Sequence, residues 1–566
     1  MVYIVVFSFF LLWAVSITGY GSILIWLFRD YKFSKNIRIA VFGILGLAIL
    51  TVMGNIFNFF IPLNLIFSTV VTAIGVILFG INFKKIIDGF SKYELIFLIV
   101  LIAYLTFVPF NWANFNDTGI YHLQSMKWLH ESRTPLGLAN LHGRLGFNSS
   151  WFTVAAIVDW PVLLKESPLF IINAMVMFFT GSAIFLTFKK TILDKISFSD
   201  YFLIFMLIAW FGKTPFNMAS PAPDLPVMLL ILFIVYLVIC AVEKIEHFRV
   251  IIFIAIIYSV FALTIKLSAL PFVLGLFILL LCMEIYKRKK HLDIVSDTKV
   301  YWYKLIVSSS IIVVPWIVRN IFLSGCIVYP VSFTRFGNLK WVAKLSQVKS
   351  EMAWIRSWAR KPSTPSKEVL SDWNWFQPWF RGFLRSERLF FGILFAGIIL
   401  IFLCLIFNRK KILLDNKKFV IPLIITILAV VYWFITAPDL RFGYGFLFSL
   451  VLLMFSFGFY HINVAFINWN IKKIFLLLIL IFFLFRTVPL IINTNSINRS
   501  FSTNWLPMVS IEVEERKTKE GSTIYVPAEG DQSWYGPLPI TPNFNPEIKI
   551  LYDDNGKPIM FWYPEK

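Results

Sequence analysis

Five stretches carry residue types that can do chemistry. The first, 111–151 (NWANFNDTGIYHLQSMKWLHESRTPLGLANLHGRLGFNSSW), lies between strongly apolar segments and holds Asp117, Lys127, Arg133 and Arg144 with three of the chain's six histidines. Asp117, at the edge of an apolar segment, can cap a helix, or it can be a general base taking a proton from a hydroxyl. Asp224 opens an apolar run in PAPDLP, where Asp and Pro in a first turn are ordinary helix-start chemistry. Lys266 interrupts the apolar ALTIKLSALP, which is costly unless the ammonium reaches the interface or meets an anion. Arg319 and Asn320 fall late in an apolar run in PWIVRNIFLSGCIVYP, which ends at Tyr329 and Pro330. A guanidinium there either snorkels outward or grips a phosphate with its planar fork. Asp439 and Arg441 in APDLRFGYG can pair with each other or face a ligand. His122 and His130 are eight residues apart, a spacing without metal-ligand periodicity, so no metal is assigned.

The chain that must position these groups is a membrane protein. Charged residues make up 15% of it, against about 25% in a soluble globule. The net charge of +21 comes from short basic clusters between apolar runs, which reads as topology signals and contacts to membrane lipids. No nucleic-acid partner is expected. The four cysteines suggest no disulfide framework, and the first apolar run, starting at Met1 without a basic n-region or cleavage site, reads as a retained helix.

Runs long enough to cross about 30 Å of hydrocarbon recur from 2–28 to 473–492. They predict an all-α polytopic membrane protein of about 13–14 transmembrane helices. The run at 200–214 is short, and Lys266 either separates two spans or breaks one. The basic clusters at 29–38, 84–85, 189–190, 244–249, 287–290, 409–411 and 472–473 fall on one side, which is then cytoplasmic. Loops 111–167 and 324–387, Lys266, the 437–442 turn and the tail fall on the opposite, extracytoplasmic side. Within them, 152–166 reads as an interfacial or re-entrant piece, and 339–387 carries six tryptophans suited to the headgroup region. Residues 1–92 read as N-terminal helices, 93–492 as the core, and 493–566 as a small C-terminal α/β or β module.

Together, Asp117 in its early loop, the Asp224 helix start, the segment around Lys266, the Arg319–Pro330 motif and the APDLRF turn resemble the GT-C superfamily of polyprenyl-phosphate-sugar-dependent glycosyltransferases. The likeness covers roughly 93–460. The chain departs from that pattern in placing three helices before the loop's hairpin, and Asn116 where a second acid often stands. The resemblance implies a GT-C-like core acting as an inverting glycosyltransferase. Its donor would be a sugar on a polyprenyl phosphate, and its acceptor hydroxyl would belong to a glycan, lipid or protein. Asp117 would be the base, with Asp224 as the other catalytic carboxylate. Lys266, Arg319 or Arg441 would neutralise the leaving phosphate, with His122, Asn320, Tyr329 and Asp439 lining the site. A divalent metal is not carried over. The Ile-, Phe-, Asn- and Lys-rich usage fits a bacterial inner membrane. Two other classes compete: a transporter or flippase of lipid-linked sugars, disfavoured by the absence of an internal repeat, and an O-antigen ligase or polymerase, for which Arg381 and Arg385 are the relevant cations.

Overall fold

In hydrocarbon, every backbone N–H and C=O must find its partner within the segment, so the apolar runs fold as helices. A computed structural model describes residues 2–111, 116–159, 169–193, 196–212, 218–289, 295–414, 417–461, 491–505 and 508–564, with isolated positions between 474 and 489. Among the described residues, eleven helices are long and apolar enough to span a membrane, running from Val2–Leu27 to Leu440–His461. Phe376–Ser386 and Phe390–Cys404, bent by 84° at their junction, make a twelfth if taken as one span. The chain is an integral membrane protein.

The lower count has three sources. The 200–214 run folds as Phe198–Gly212, a helix of 15 residues, short for a span. The 388–408 run is reached only through the bend, and most of 473–492 lies outside the described residues. Lys266 is extended, between a helix ending at Ile265 and one beginning at Leu270.

The helices share one apolar core. Val2–Gly21 packs on Lys35–Phe57 and Leu65–Ile87, and Asp224–Glu243 packs on Phe248–Ile265 and Leu440–His461. Small residues permit the closest crossings. A Cβ on Gly19 would lie 1.9 Å from the carbonyl oxygen of Gly75.

The loops are structured. Ser150–Val158 is a helix buried along its whole length against Lys35–Phe57 and Leu123–Glu131, so this part of 152–166 is core and not interfacial. Its apolar residues face protein on every side, which composition does not distinguish from lipid. Residues 160–168 lie outside the described residues. In the tryptophan-rich loop, Trp375, Phe376 and Trp379 pack around Phe434 in tilted and edge-on contacts, and Trp379 Nε1 donates to Pro438 O at 2.7 Å. The tail forms a helix, Thr494–Phe501, and two antiparallel hairpins, Val513–Lys517 with Thr523–Pro527 and Lys549–Tyr552 with Pro558–Trp562. It folds back on the first loop: Leu136 N donates to Ile559 O at 2.9 Å, and Phe561 N donates to Leu136 O at 2.8 Å.

With the four native cysteines replaced by alanine, single cysteines at the exposed Glu529 and Arg288 should react with an impermeant thiol reagent from opposite sides of the membrane. Labelling of both from one side contradicts this arrangement of spans.

Candidate functional site

Asp117 stands at the start of a single wide turn, Thr118–His122, that leads into the Leu123–Glu131 helix. Its Oδ1 accepts from Arg144 Nη1 at 3.2 Å and its Oδ2 from Arg441 Nη1 at 3.0 Å. Each carboxylate oxygen therefore meets a different guanidinium, one from its own loop and one from the start of the Leu440–His461 helix. Arg441 Nε also reaches Asp439 Oδ2, at 3.4 Å. Asp117 keeps 21% of its side-chain surface exposed.

A second ion pair adjoins this one. Asp224 is the first residue of its helix and makes no side-chain cap; its carboxylate instead pairs with Lys266, which sits at the break between two helices. The Lys266 ammonium also lies 3.5 Å from the centre of the Phe442 ring, the residue after Arg441. Burial lowers the Lys266 pKa, against the pull of Asp224. Burial raises the Asp439 carboxyl, against the pull of Arg441. His122 lies within electrostatic reach of Asp224, Arg441, Lys266 and Arg144, and burial depresses it to about 3, so its ring is neutral at physiological pH. Thr118 Oγ1 joins it to Ser220, at 3.4 Å from His122 Nδ1 and 2.7 Å from Ser220 Oγ.

The structure thus brings Asp117, Asp224, His122, Lys266, Asp439 and Arg441 together, and leaves three expected residues outside that group of contacts. Arg319 donates from Nη1 to Asn58 Oδ1 at 2.7 Å and to Thr134 Oγ1 at 2.5 Å. Asn320 donates to Trp316 O within its own helix. Tyr329 is buried beside Phe147. His130 bonds Ala156 O and the Tyr535 hydroxyl.

Two features escaped the sequence. Arg144 packs its guanidinium 4.5 Å from the Trp354 ring, and Glu351 lies close enough to Gly143 that a Cβ there would be 2.3 Å from its carboxylate oxygen. Burial raises the Glu351 pKa. The spacing of Glu351 and Trp354 on one helix face was the available signal. The tail also reaches the site. Trp534 N donates to Gly119 O at 2.7 Å, Gln532 bonds Asn116, and the Gln124 amide donates to the carbonyls of Ser533, Trp534 and Gly536. Gly119 is required here, because a Cβ would meet the Trp534 ring at 2.8 Å.

A family model described as a domain of unknown function (DUF8201) matches residues 1–448. The chain belongs to this family. No curated protein and no solved structure matches it. The DUF8201 match takes in every ion pair described above and ends before the tail that bonds Gly119 and Gln124.

Two outcomes follow for stability. Lys266→Met leaves the buried Asp224 without its cation and should cost about 3 kcal/mol, read as a lower melting temperature; Asp224→Leu added to it should recover much of the loss. Equal melting of the single variant and wild type contradicts the pairing. His122, His130 and His142 are all depressed by burial, to about 3, 4 and 4. The unfolded chain takes up these protons first, so the stability these histidines contribute is complete above about pH 6.5 and lost as pH falls towards 4. A histidine-to-glutamine triple variant should show a smaller fall in melting temperature between pH 7 and pH 4.5 than wild type.

Proposed function

We propose that this protein is a GT-C-type glycosyltransferase that moves a sugar from a polyprenyl-phosphate donor to an acceptor hydroxyl on the extracytoplasmic face. The observation that carries the reading is Asp117, a part-exposed carboxylate held between two arginines beside the Asp224–Lys266 pair at one end of an apolar helix bundle. Breaking a glycosidic bond to phosphate builds negative charge on the leaving oxygens, and fixed cations in a poorly solvated site stabilise it. The acceptor hydroxyl must lose a proton as it attacks, which calls for a nearby carboxylate. Both requirements meet in this cluster.

The ion pairs suggest an order of events. Arg441 has both Asp439 and Asp117 as partners, so moving its fork onto the donor phosphate frees Asp117 Oδ2 while Arg144 keeps the carboxylate in place. The freed oxygen then takes the acceptor proton. Lys266, released in part from Asp224, meets the same phosphate as the bond breaks. His122, being neutral, can donate a hydrogen bond to the sugar without adding charge. The Trp354 helix and the Trp534 loop flank this group. The basic clusters at the opposite end of the spans favour the extracytoplasmic placement.

Asp117→Asn keeps the size of the side chain but cannot accept a proton. Purified into membranes with a polyprenyl-phosphate sugar, it should lose roughly 10²–10⁴-fold in transfer while binding the donor lipid as wild type does. Transfer at the wild-type rate would remove Asp117 as the base.

A further inference from the structure

A second feature lies apart from this cluster, on the Val295–Ser324 helix. Arg319 is 6% exposed. A guanidinium stays charged in a protein, and a buried charge is costly unless an anion meets it. Both of its hydrogen bonds leave from Nη1 and end on neutral oxygens, of Asn58 and Thr134. Among the described residues no carboxylate pairs with it, and Nε and Nη2 donate to no protein acceptor.

Alongside the same helix runs an apolar groove of about 320 Å³. Ile49 and Met53 of the Lys35–Phe57 helix are part of its lining, as are Ile257, Ser308, Ile311 and Ile312, and it extends to Leu27 of the first span. Ile311 is 52% exposed, so the groove opens on the flank of the bundle, where lipid chains would lie. Positions 308 and 312 share one helix face, and Arg319 follows on the same helix one turn beyond Pro315. At 1.5 Å per residue, Arg319 lies about 10 Å beyond Ile312, and Asn58 lies about 8 Å beyond Met53. Both helices therefore run on from the groove to the contact between Arg319 and Asn58.

We propose that this groove holds a membrane phospholipid. Its phosphate meets the Nε and Nη2 edge of Arg319, and one acyl chain runs down between Ile49, Met53, Ile257 and Ile312. A phosphodiester carries one negative charge and so balances one guanidinium. The phosphate would meet a cation and two neutral side chains but no proton acceptor, which suits a bound structural lipid and not a reacting donor. The proposal does not depend on the glycosyltransferase reading.

The test is native mass spectrometry of the full-length protein, purified in mild detergent and then washed in a stripping detergent. Wild type and Asp117→Asn should both retain one phospholipid. Arg319→Gln should lose it by roughly tenfold or more, the factor expected for a lost charge-assisted contact, with Arg319→Lys intermediate. Ser308→Trp fills the groove far from the Asn58 and Thr134 bonds and should lose the lipid as well, so it decides the matter should Arg319→Gln fail to fold. The idea is overturned by a wild type that carries no lipid, by Ser308→Trp retaining it like wild type, or by a retained mass that is a lipid-linked sugar.

Discussion

The two-arginine bridge on Asp117 is the interaction on which this end of the molecule depends. One carboxylate joins the first loop, through Arg144, to the Leu440–His461 span, through Arg441. Asp439 and the Asp224–Lys266 pair adjoin it, so three carboxylates stand with three cations. In a poorly solvated setting such a set is tolerable only when charge balances and each partner is hydrogen-bonded. Removing any member exposes the others, which is why the same residues are both structural and chemically poised.

Everything packed above the cluster protects that balance. The tryptophan-rich segment packs edge-on against Phe434 and binds Pro438, which fixes the turn that carries Asp439. The tail contributes the Gln532–Gly536 backbone, held by the three bonds from Gln124, and closes over the turn that begins at Asp117. The DUF8201 match ends before this tail, so one wall of the site comes from chain beyond the family model. Variation in the tail could then alter what reaches Asp117 without altering the charges beneath it.

Arg319 shows how the same residue type takes a different part. Asp117's arginines have carboxylate partners, whereas Arg319 is buried with neutral oxygens only. The sequence grouped it with the phosphate-binding cations because a late-helix arginine fits the depth of a lipid phosphate. Packing instead set it on Asn58 and Thr134, outside the contacts around Asp117.

What the sequence by itself determined was whatever depends on local composition. The membrane class, eleven of the spans, the break at Lys266 and the β character of the tail all follow from apolar length, turn residues and short-range pattern. The list of charges able to act was also legible, because a charge interrupting an apolar run is conspicuous. The burial of Ser150–Val158 was not, since an apolar helix reads alike against lipid and against protein. Only the tertiary structure decided which charge meets which. Asp117's partners lie 27 and 324 residues away, and Asp224 pairs with a lysine 42 residues on. Such pairs arise from how the helices pack side by side, and no periodicity within a single helix records its neighbour.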